Sequence, residues 1–365
     1  MSNNNSESEI LNAINKINDP DLEKTFGDLQ SVKFINLNDD TLQLTLELIQ
    51  PINWVENKIK QEIANTVHSI NPKLNIELNI TESTSNCYNR DILKGVKNII
   101  AVASGKGGVG KSAIAANLAA GLSLAGAKVG ILDGDVYGPS VPTMFGLAGQ
   151  PFDAVEGPDK KILAYPNEKY GIKVASMGFI MNRDEAAIVR GPMLAGYFSM
   201  LFEQIAWGPL DFLVFDLPPG TGDIQLTLTQ RIPLSGAVIV TTPQEIAVVD
   251  VRRSIAMFKR VNVDIFGIVE NMSYFSPEDM PDKKYFIFGE GGGQRIAEEN
   301  NINLLGKVPL DIKMRNDNDS GKPIILSGRD DLQVKILKDI TEKVVSQLRK
   351  RNLTIIENPS PVISI

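Results

Sequence analysis

Residues 98–126 read NIIAVASGKGGVGKSAIAANLAAGLSLAG and decide the fold. The apolar run NIIAVAS leads directly into a glycine-rich loop at 105–112, and a stretch rich in alanine and leucine follows. This order gives the pattern G-x-x-x-x-G-K-[ST] the strand, loop and helix context that a phosphate-binding loop requires. Glycines let successive backbone N–H groups face one anion, and the helix N-terminus adds the positive end of its dipole. The sequence therefore predicts a P-loop nucleotide-binding domain.

The side chains at the end of this loop have separate expected roles. Lys111 neutralises phosphate charge, and the Ser112 hydroxyl is expected to be a Mg²⁺ ligand beside phosphate oxygens and water. A glycine turn that only packs a strand against a helix is the alternative, but it leaves Lys111 and Ser112 unexplained. The predicted phosphate-binding set is Gly105, Lys106, Gly107, Gly108, Val109, Gly110, Lys111 and Ser112.

After residue 98 the chain alternates between short apolar runs and helical stretches, the pattern of a parallel sheet covered on both faces by crossover helices. We therefore predict a doubly wound α/β fold with a mostly parallel sheet. The candidate strands are NIIAVAS (98–104), KVGILDGD (128–135), DFLVFDLP (211–218), GAVIVTTP (236–243), IFGIVENM (265–272) and INLLGKVP (302–309).

Acidic residues follow two of these strands, and the carboxyl ends of parallel strands line one edge of a sheet. Asp133 and Asp135 follow KVGIL, and Asp216 follows DFLVF. We expect Asp216 to hold Mg²⁺ through its water shell and Asp135 to orient or activate the attacking water. Ser112, Asp135 and Asp216 are thus the predicted Mg²⁺ residues, partly through water. The alternative for each aspartate is a helix or turn cap.

The segment DLPPGTGD (216–223) is a candidate switch loop. Gly220 stands where a loop that senses the γ-phosphate needs close backbone approach. Asp223 is the expected N-cap of the helix that follows.

The first 80 residues predict a separate small α+β domain with the order α-β-β-α-β. Leu42, Leu44, Leu46 and Leu48 alternate with polar residues, as in a half-buried strand. Residues 81–95 lack periodicity and contain many Ser, Thr and Asn residues, as linkers do. The predicted organisation is the small domain at 1–80, a linker at 81–95, the P-loop domain at 96–351 and a tail at 352–365.

Composition excludes several classes of function. The formal charge of −7 disfavours nucleic acid as a partner. Apolar runs stay well below the roughly 18 residues that a membrane span requires, and the polar start is unlike a signal peptide, so a cytoplasmic location is expected. One cysteine, Cys87, and one histidine, His68, cannot build a zinc site of the usual kind within one chain.

Lys106 within GKGGVGKS resembles the signature of the deviant Walker-A class, which includes MinD, ParA and the Mrp/ApbC iron-sulfur carrier ATPases. In that class this lysine reaches the phosphates of the partner in a nucleotide-sandwiched homodimer. The resemblance therefore implies ATP hydrolysis, a homodimer, and a catalytic role for Lys106 beside Lys111 and Asp135. A second cation can stabilise transition-state charge as an arginine finger does. A solvated loop lysine is the alternative.

Within the class, the chain is most similar to the Mrp/ApbC branch, over nearly its whole length. This resemblance implies that the protein carries iron-sulfur clusters. Its implied partners are apoprotein clients or iron-sulfur assembly factors. The stretches that carry the resemblance are LDGDVYGPSVPTMFGL (132–147), VRGPM (189–193), DLPPGTGD, VTTPQEIAVVDVRRSIAMF (240–258) and VENMSYF (269–275).

Two further positions gain a meaning from the resemblance. IxDPDLEKxF (17–26) resembles the small iron-sulfur-assembly domain that often precedes these ATPases. Asn271 and the Val308-Pro309 pair correspond to positions where the class holds the adenine base. An ordinary strand-end amide and a turn proline are the alternatives for these residues.

The sequence departs from the branch at one point. In many of these carriers a CxxC follows the ENMS-type stretch, and two such pairs across the dimer hold a [4Fe-4S] cluster. Here residues 273–288 contain no cysteine. Two copies of Cys87 would supply two thiolates, and a cluster normally takes four. A MinD/ParA-like spatial-organising ATPase and a nucleotide-gated scaffold therefore remain alternatives to a cluster carrier.

The C-terminal region predicts an amphipathic helix, because Leu332, Ile336, Ile340, Val344 and Leu348 recur every four residues before the basic run 349–351. Such a helix could lie on a membrane. We favour a helix packed on the sheet with cations at its C-terminus, because Asp331, Asp339 and Glu342 interrupt the pattern expected of a lipid-binding face. No membrane partner is expected.

Overall fold

A computed structural model describes residues 2–83, 92–136, 138–156, 162–180, 191–220 and 222–358. Cys87, most of the expected linker and the first two residues of VRGPM lie outside these ranges. The chain divides into two compact units. The smaller unit is Met1–Cys87 together with Val345–Ile365, and the larger unit is Tyr88–Val344.

The smaller unit has the predicted α+β composition and element order. Its elements are α1 (Ser2–Asn15), β1 (Val32–Asn38), β2 (Thr41–Leu48), α2 (Glu56–Ile70) and β3 (Asn75–Glu82). β2 is central, antiparallel to β1 and parallel to β3. The four leucines of β2 are buried as their alternation predicts, and they pack with Ile59, Ile63 and Val67 of α2. Helical spacing of Ile10, Leu11, Ile14 and Ile17 predicts the first helix at 9–18, but α1 begins at Ser2 and ends at Asn15, and Ile17 is buried beyond it.

The chain beyond residue 344 differs from the expected division, because it belongs to the smaller unit. The terminal helix α10 (Leu332–Glu357) continues past residue 351, where we expected it to end. Arg349 is fully buried and donates from its two terminal nitrogens to Asp19 at 2.9 and 2.6 Å. It also donates to Asp21 at 2.6 Å and to the carbonyl of Ile49 at 3.0 Å. These bonds explain why residues 345–357 group with the N-terminal elements.

The larger unit contains an eight-stranded sheet with the order β13-β12-β11-β4-β10-β5-β9-β8. All neighbouring strands from β13 to β9 pair in parallel, and β8 is an antiparallel edge strand. The doubly wound, mostly parallel fold is therefore confirmed. The strands are β4 (Val96–Ala103), β5 (Val129–Asp133), β8 (Asn167–Lys169), β9 (Ile172–Ser176), β10 (Leu210–Asp216), β11 (Gly236–Thr241), β12 (Ile265–Phe275) and β13 (Leu304–Leu310).

Helices cover this sheet, and its central strands are buried along nearly their whole length. The helices of the larger unit are α3 (Lys111–Leu124), α4 (Val141–Met144), α5 (Gly191–Glu203), α6 (Asp223–Arg231), α7 (Glu245–Arg260), α8 (Gly292–Asn300), α9 (Ile312–Asp319) and the first part of α10. Most apolar residues of α10, including Leu337, Ile340 and Val344, are buried, which favours the packed interpretation of this helix, whereas Leu332 at its start is exposed. Within the described residues, no helix combines the length and apolar character needed to cross a membrane.

Sequence reasoning missed the strands between β5 and β10. β6 (Asp153–Glu156) and β7 (Ile162–Tyr165) form a separate antiparallel ribbon, and β8 and β9 complete one side of the main sheet. β6 is exposed along its length, and β8 has three polar residues. Such short strands carry little hydrophobic pattern, so periodicity cannot identify them.

Arg349 provides a test of what holds the smaller unit together. In a Trp207→Phe background, Trp54 is the remaining tryptophan and lies in the smaller unit. We expect Arg349→Met to lower the free energy of unfolding of that unit by about 3–5 kcal/mol, because it leaves Asp19 buried without its cation. Urea unfolding followed by Trp54 fluorescence measures this loss.

Lys350→Met is the matched control, since its ion pair with Glu23 is exposed and should contribute little. Equal, small effects of both substitutions would contradict the assigned role of Arg349.

Candidate functional site

The glycine-rich loop lies between β4, near the centre of the sheet, and the first residue of α3. Gly110 directly precedes Lys111 and has a φ of 82°, in the left-handed region. A Cβ at Gly110 would lie 2.2 Å from Nδ2 of Asn271, and a Cβ at Gly105 would lie 2.4 Å from the backbone of Asp250. Close approach therefore requires glycine at both positions. The strand, loop and helix arrangement follows the sequence prediction.

Asn271, a residue of β12, forms a side-chain hydrogen bond with the phosphate loop. It is buried, and its Nδ2 donates to the carbonyl of Val109 at 2.8 Å. This amide therefore supports the loop conformation in addition to any contact with a base.

Lys111 and Asp216 meet in the interior. The Lys111 ammonium donates to Oδ1 of Asp216, with side-chain exposures of 6% and 0%. Lys111 Nζ also lies 3.4 Å from Oγ of Ser112. The second carboxylate oxygen of Asp216 is buried and has no hydrogen-bond donor among the described residues. That free oxygen and the Ser112 hydroxyl fit a hydrated Mg²⁺ at this position.

Asp133 stands beside Asp216, because the two residues are register partners on β5 and β10. Its Oδ1 accepts the N–H of Asp135 at 3.0 Å, and its Oδ2 accepts the N–H of Val141 at 3.2 Å. Ser176 of β9 donates its hydroxyl to the same Oδ2 at 3.1 Å. One buried carboxylate thus holds both ends of the loop 135–141. These contacts are the ones expected if Asp133 caps a turn, the alternative role given for it above.

Burial dominates the electrostatics of this pair. It raises the pKa of Asp133 to about 7, and the charge of Asp216 acts in the same direction. Burial also raises the pKa of Asp216, while the Lys111 ammonium opposes that shift. Two carboxylates and one ammonium are therefore buried together. The charges of a bound phosphate and metal ion would change the electrostatic balance among these three groups.

Asp135 lies at the start of the loop that Asp133 holds, and its Oδ1 accepts the N–H of Gly138 at 3.2 Å. The candidate switch loop follows Asp216, and Gly220 donates its N–H to the carbonyl of Ser104 at 3.1 Å. Thr221 lies outside the described residues. The N-cap of α6 is Gly222, so the prediction of Asp223 as N-cap was one residue late. Asp223 instead occupies the first turn, where the helix dipole favours a carboxylate.

Lys106 extends from the loop toward the start of α7. Its Nζ lies 3.4 Å from Oε1 of Gln244, which also accepts the hydroxyl of Thr242 at 2.7 Å. The carbonyl of Lys106 accepts the hydroxyl of Ser104 at 2.9 Å. Lys106 is half-buried.

A cavity of about 390 Å³ opens beside the loop. Gly110 and Ala113 form the wall nearest the phosphate loop, and Asn271 of β12 and Pro309 near the end of β13 also line the cavity. Val308 is fully buried in β13 beside Asn271. The structure thus brings Asn271 and Pro309, but not the Val308 side chain, to the space next to the expected phosphates.

A second glycine-rich segment, 291–293, leads into α8, and a carboxylate of the protein itself bonds to the backbone there. Glu270 is buried, and its Oε2 accepts the N–H of Gly293 at 2.6 Å at the start of α8. The protein's own carboxylate therefore occupies this helix N-terminus.

The segment after β12, where many carriers have CxxC, forms an exposed hairpin-like loop. Tyr285 pairs with Phe275 through backbone hydrogen bonds, and Ile287 is 59% exposed. Glu278 forms an ion pair with Lys313 at 2.9 Å. Across the described ranges, no cluster of three or more His, Cys, Asp or Glu side chains could hold a metal ion.

Sequence reasoning missed several residues around this site. Ser176, Gln244 and Glu270 act through hydrogen bonds between elements that are distant in sequence. No local pattern marks such contacts. Asn318, which lines the cavity from α9, was also missed because α9 has almost no apolar periodicity.

Comparisons with known proteins agree with this geometry. A model of the ParA family, described as NUBPL iron-transfer P-loop NTPase, matches residues 95–345. The iron-sulfur cluster carrier protein of Synechocystis is 42% identical over 342 residues, covering 93% of this chain and 97% of that protein. The iron-sulfur cluster transfer protein NUBPL of Dictyostelium discoideum is 48% identical over 256 residues, covering 70% and 78%.

Among solved structures, a nucleotide-binding protein of Archaeoglobus fulgidus in complex with ADP is 37% identical, with a TM-score of 0.55. The match covers 63% of this chain and 88% of that one. The phosphate loop, the paired strand-end aspartates and these similarities lead to one conclusion: the chain belongs to the NUBPL iron-transfer P-loop NTPase family.

Proposed function

We propose that this protein binds and hydrolyses MgATP as a homodimer and uses that cycle to carry iron-sulfur clusters to apoprotein clients. The observation that carries the ATPase part is the phosphate loop with Lys111, Ser112, Asp133 and Asp216 converging at its end. The family and its named cluster carriers support the cargo. An ADP-bound structure of a protein 37% identical supports nucleotide as the ligand.

Nucleotide binding requires Lys111 to exchange partners. In the structure its ammonium contacts Asp216. Phosphate oxygens in the loop would take that ammonium, and Asp216 would then face a water of Mg²⁺, with Ser112 as a direct ligand. When bound, Mg²⁺ supplies positive charge to the β- and γ-phosphates. Asp216 would thus exchange the Lys111 ammonium for hydrated Mg²⁺ and keep a cationic partner.

Hydrolysis needs a water placed in line with the γ-phosphate. Asp135 is the proposed group that orients this water and accepts its proton, as the oxygen bonds to phosphorus and ADP leaves. Asp133 holds the Asp135 backbone through a 3.0 Å hydrogen bond, so it positions Asp135 without acting on water itself.

We propose that Lys106 of each copy acts on the nucleotide bound by the other copy of the dimer. Its contact with Gln244 is long and half-exposed, so little free energy holds it within its own chain. In a nucleotide-sandwiched dimer it would contact the partner's phosphates and stabilise charge in the transition state.

The cargo has to be held with few cysteines. Two chains supply two thiolates, both from Cys87, and a [4Fe-4S] cluster normally takes four. We therefore propose that a client or assembly partner supplies the remaining ligands. Carboxylates such as Glu278 and Asp279 suit iron-sulfur clusters poorly, because thiolate is the softer ligand.

Anaerobic reconstitution with iron, sulfide and a small-molecule thiol, which stands in for the ligands that a partner would supply, tests the carrier function. We expect visible charge-transfer absorption that Cys87→Ser removes, and transfer of the cluster to an apo-ferredoxin of the [4Fe-4S] type. Cys87→Ser should leave ATP turnover unchanged, which makes it its own control. A chain that turns over ATP but never acquires this absorption would refute cluster carriage and leave the ATPase assignment intact.

Two substitutions separate binding from chemistry. We expect Lys111→Ala to abolish ATP binding in calorimetry, because the main phosphate cation is lost. Asp135→Ala should bind ATP with nearly the wild-type Kd but lose about 100-fold or more in kcat. Melting curves without nucleotide control for folding. Normal turnover in Asp135→Ala would rule out its role in activating water.

A pair of glycines tests the close approach within the loop. Gly110 and Gly126 both have positive φ, 82° and 86°, but a Cβ at Gly126 meets no atom within 4 Å. Each Gly→Ala substitution should cost about 1–2 kcal/mol of stability from backbone conformation. Only Gly110→Ala should also weaken ATP binding, because it displaces Asn271 from Val109. Equal ATP affinities in the two variants would count against the proposed loop geometry.

A further inference from the structure

The strand β3 is an edge of the sheet in the smaller unit. The sheet has the order β1-β2-β3, and no strand of the described residues pairs with the far side of β3. Asn75 and Ser83 donate their N–H groups toward β2, to the carbonyls of Asp40 and Leu48, each at 2.8 Å. Successive residues of a strand turn their backbone groups to opposite sides. The N–H and C=O groups of the even-numbered residues of β3 therefore point away from β2.

The opposite edge of the sheet, β1, is protected against pairing. Its register on β2 shifts between Val32 and Phe34, and Lys33 lies in that irregular stretch. Glu7 of α1 also accepts the N–H of Leu37 at 2.9 Å. Bulges, lysines and covering elements are devices by which proteins keep edge strands from pairing. In contrast, β3 keeps an unbroken register on β2 and contains neither lysine nor proline.

The apolar side chains of β3 are only half-buried. Ile76, Leu78 and Ile80 pack against the core of the smaller unit, whereas the four leucines of β2 beside them are at most 1% exposed. A strand added to the open edge would cover these three side chains. Outward-facing backbone groups and half-covered apolar side chains thus occur on the same strand, which is the combination that strand addition uses.

A second copy of β3 fits this edge in an antiparallel register. A two-fold axis at Leu78 places Leu78 opposite itself and Ile76 opposite Ile80. The outward-facing backbone groups of these residues can then bond to each other, and their side chains meet on the apolar face. Two-fold symmetry uses one surface twice and is the commonest symmetry of protein dimers.

The two neighbouring registers that keep the faces matched are unfavourable. An axis at Glu77 opposes two Glu77 carboxylates, and like charges directly opposite each other destabilise a strand pair. An axis at Asn79 places Ile76 against the carboxylate of Glu82. With the axis at Leu78, Glu77 lies opposite the neutral Asn79. The charges of β3 therefore select the register in which its apolar side chains also match.

We propose that β3 is a self-association edge, on which β3 of a second copy adds to join two three-stranded sheets into one. This contact needs no nucleotide and is separate from the ATP-dependent dimer of the proposed function. Pairing of one strand is a small contact beside the roughly 1,200–2,000 Å² that stable interfaces bury. We therefore expect the association to depend on protein concentration.

Disulfide cross-linking of the full chain without nucleotide tests the contact and its register. In a Cys87→Ser background, Glu77→Cys and Asn79→Cys are prepared separately and then mixed. With the axis at Leu78, residues 77 and 79 of different copies have Cα atoms about 4.5 Å apart, within the disulfide range of about 4.4–6.8 Å. Each residue lies about 7–8 Å from its own counterpart. We expect the mixture to form linked dimers under mild oxidation, and either protein alone to form few.

Leu78→Lys and Leu78→Met are a matched pair for the position of the axis. Two lysines opposite each other would repel, whereas methionine is a long side chain without charge. Introduced into both cysteine proteins, Leu78→Lys should abolish the mixed disulfide and Leu78→Met should retain it. Melting curves control for folding of the two variants.

Hydrogen exchange of the wild type identifies any other occupant of the edge. The amides of Ile76, Leu78 and Ile80 should exchange more slowly as protein concentration rises. Protection of these amides in a dilute monomer would mean that another segment of this chain covers the edge, and it would overturn the proposal. The proposal also fails if the mixture forms no disulfide although both thiols react with a maleimide. Equal cross-linking with lysine and methionine at position 78, or in the mixture and in either protein alone, would refute the register.

Discussion

The buried contact between Lys111 and Asp216 is the constraint on which the larger unit depends. Removing two charges from water is costly, and the low-dielectric interior returns that cost only when the charges stay paired. Asp133 lies beside them and depends on hydrogen-bond donors from Asp135, Val141 and Ser176. Nucleotide can enter only by replacing one pairing with another. A phosphate for Lys111 and a hydrated Mg²⁺ for Asp216 satisfy that requirement.

Much of this arrangement could be predicted from local sequence. The apolar runs identified six parallel strands, because strands buried on both faces are continuously hydrophobic. The phosphate loop could be predicted because its conformation depends on glycines and a lysine that are adjacent in sequence. The predictions failed where the determinant is tertiary. β8 is a short, polar edge strand. α10 continues to Glu357, and within it Arg349 binds Asp19, which lies more than three hundred residues away in sequence.

The smaller unit shows the same division between local and distant determinants. Alternation of leucines in β2 was sufficient to predict its buried face. The DPDL stretch could be recognised by resemblance alone, and its physical role emerges from the structure. Asp19 accepts the backbone N–H of Asp21 at 2.9 Å and also binds Arg349. A buried carboxylate with both backbone and guanidinium donors is a fully paired charge, and such charges fix geometry.

The end of β12 connects the parts of the site that ATP and cargo would use. Three successive residues there have different contacts: Glu270 accepts a hydrogen bond from the start of α8, Asn271 donates to the carbonyl of Val109, and Met272 lines the cavity beside the phosphate loop. The loop that carries CxxC in many relatives of the branch begins four residues later. The three residues are consecutive in β12, so the bond to Val109 and the bond to the start of α8 are carried by the same stretch of one strand. The strand that contacts the phosphate loop through Asn271 is thus also the strand from which the loop at 276–291 emerges.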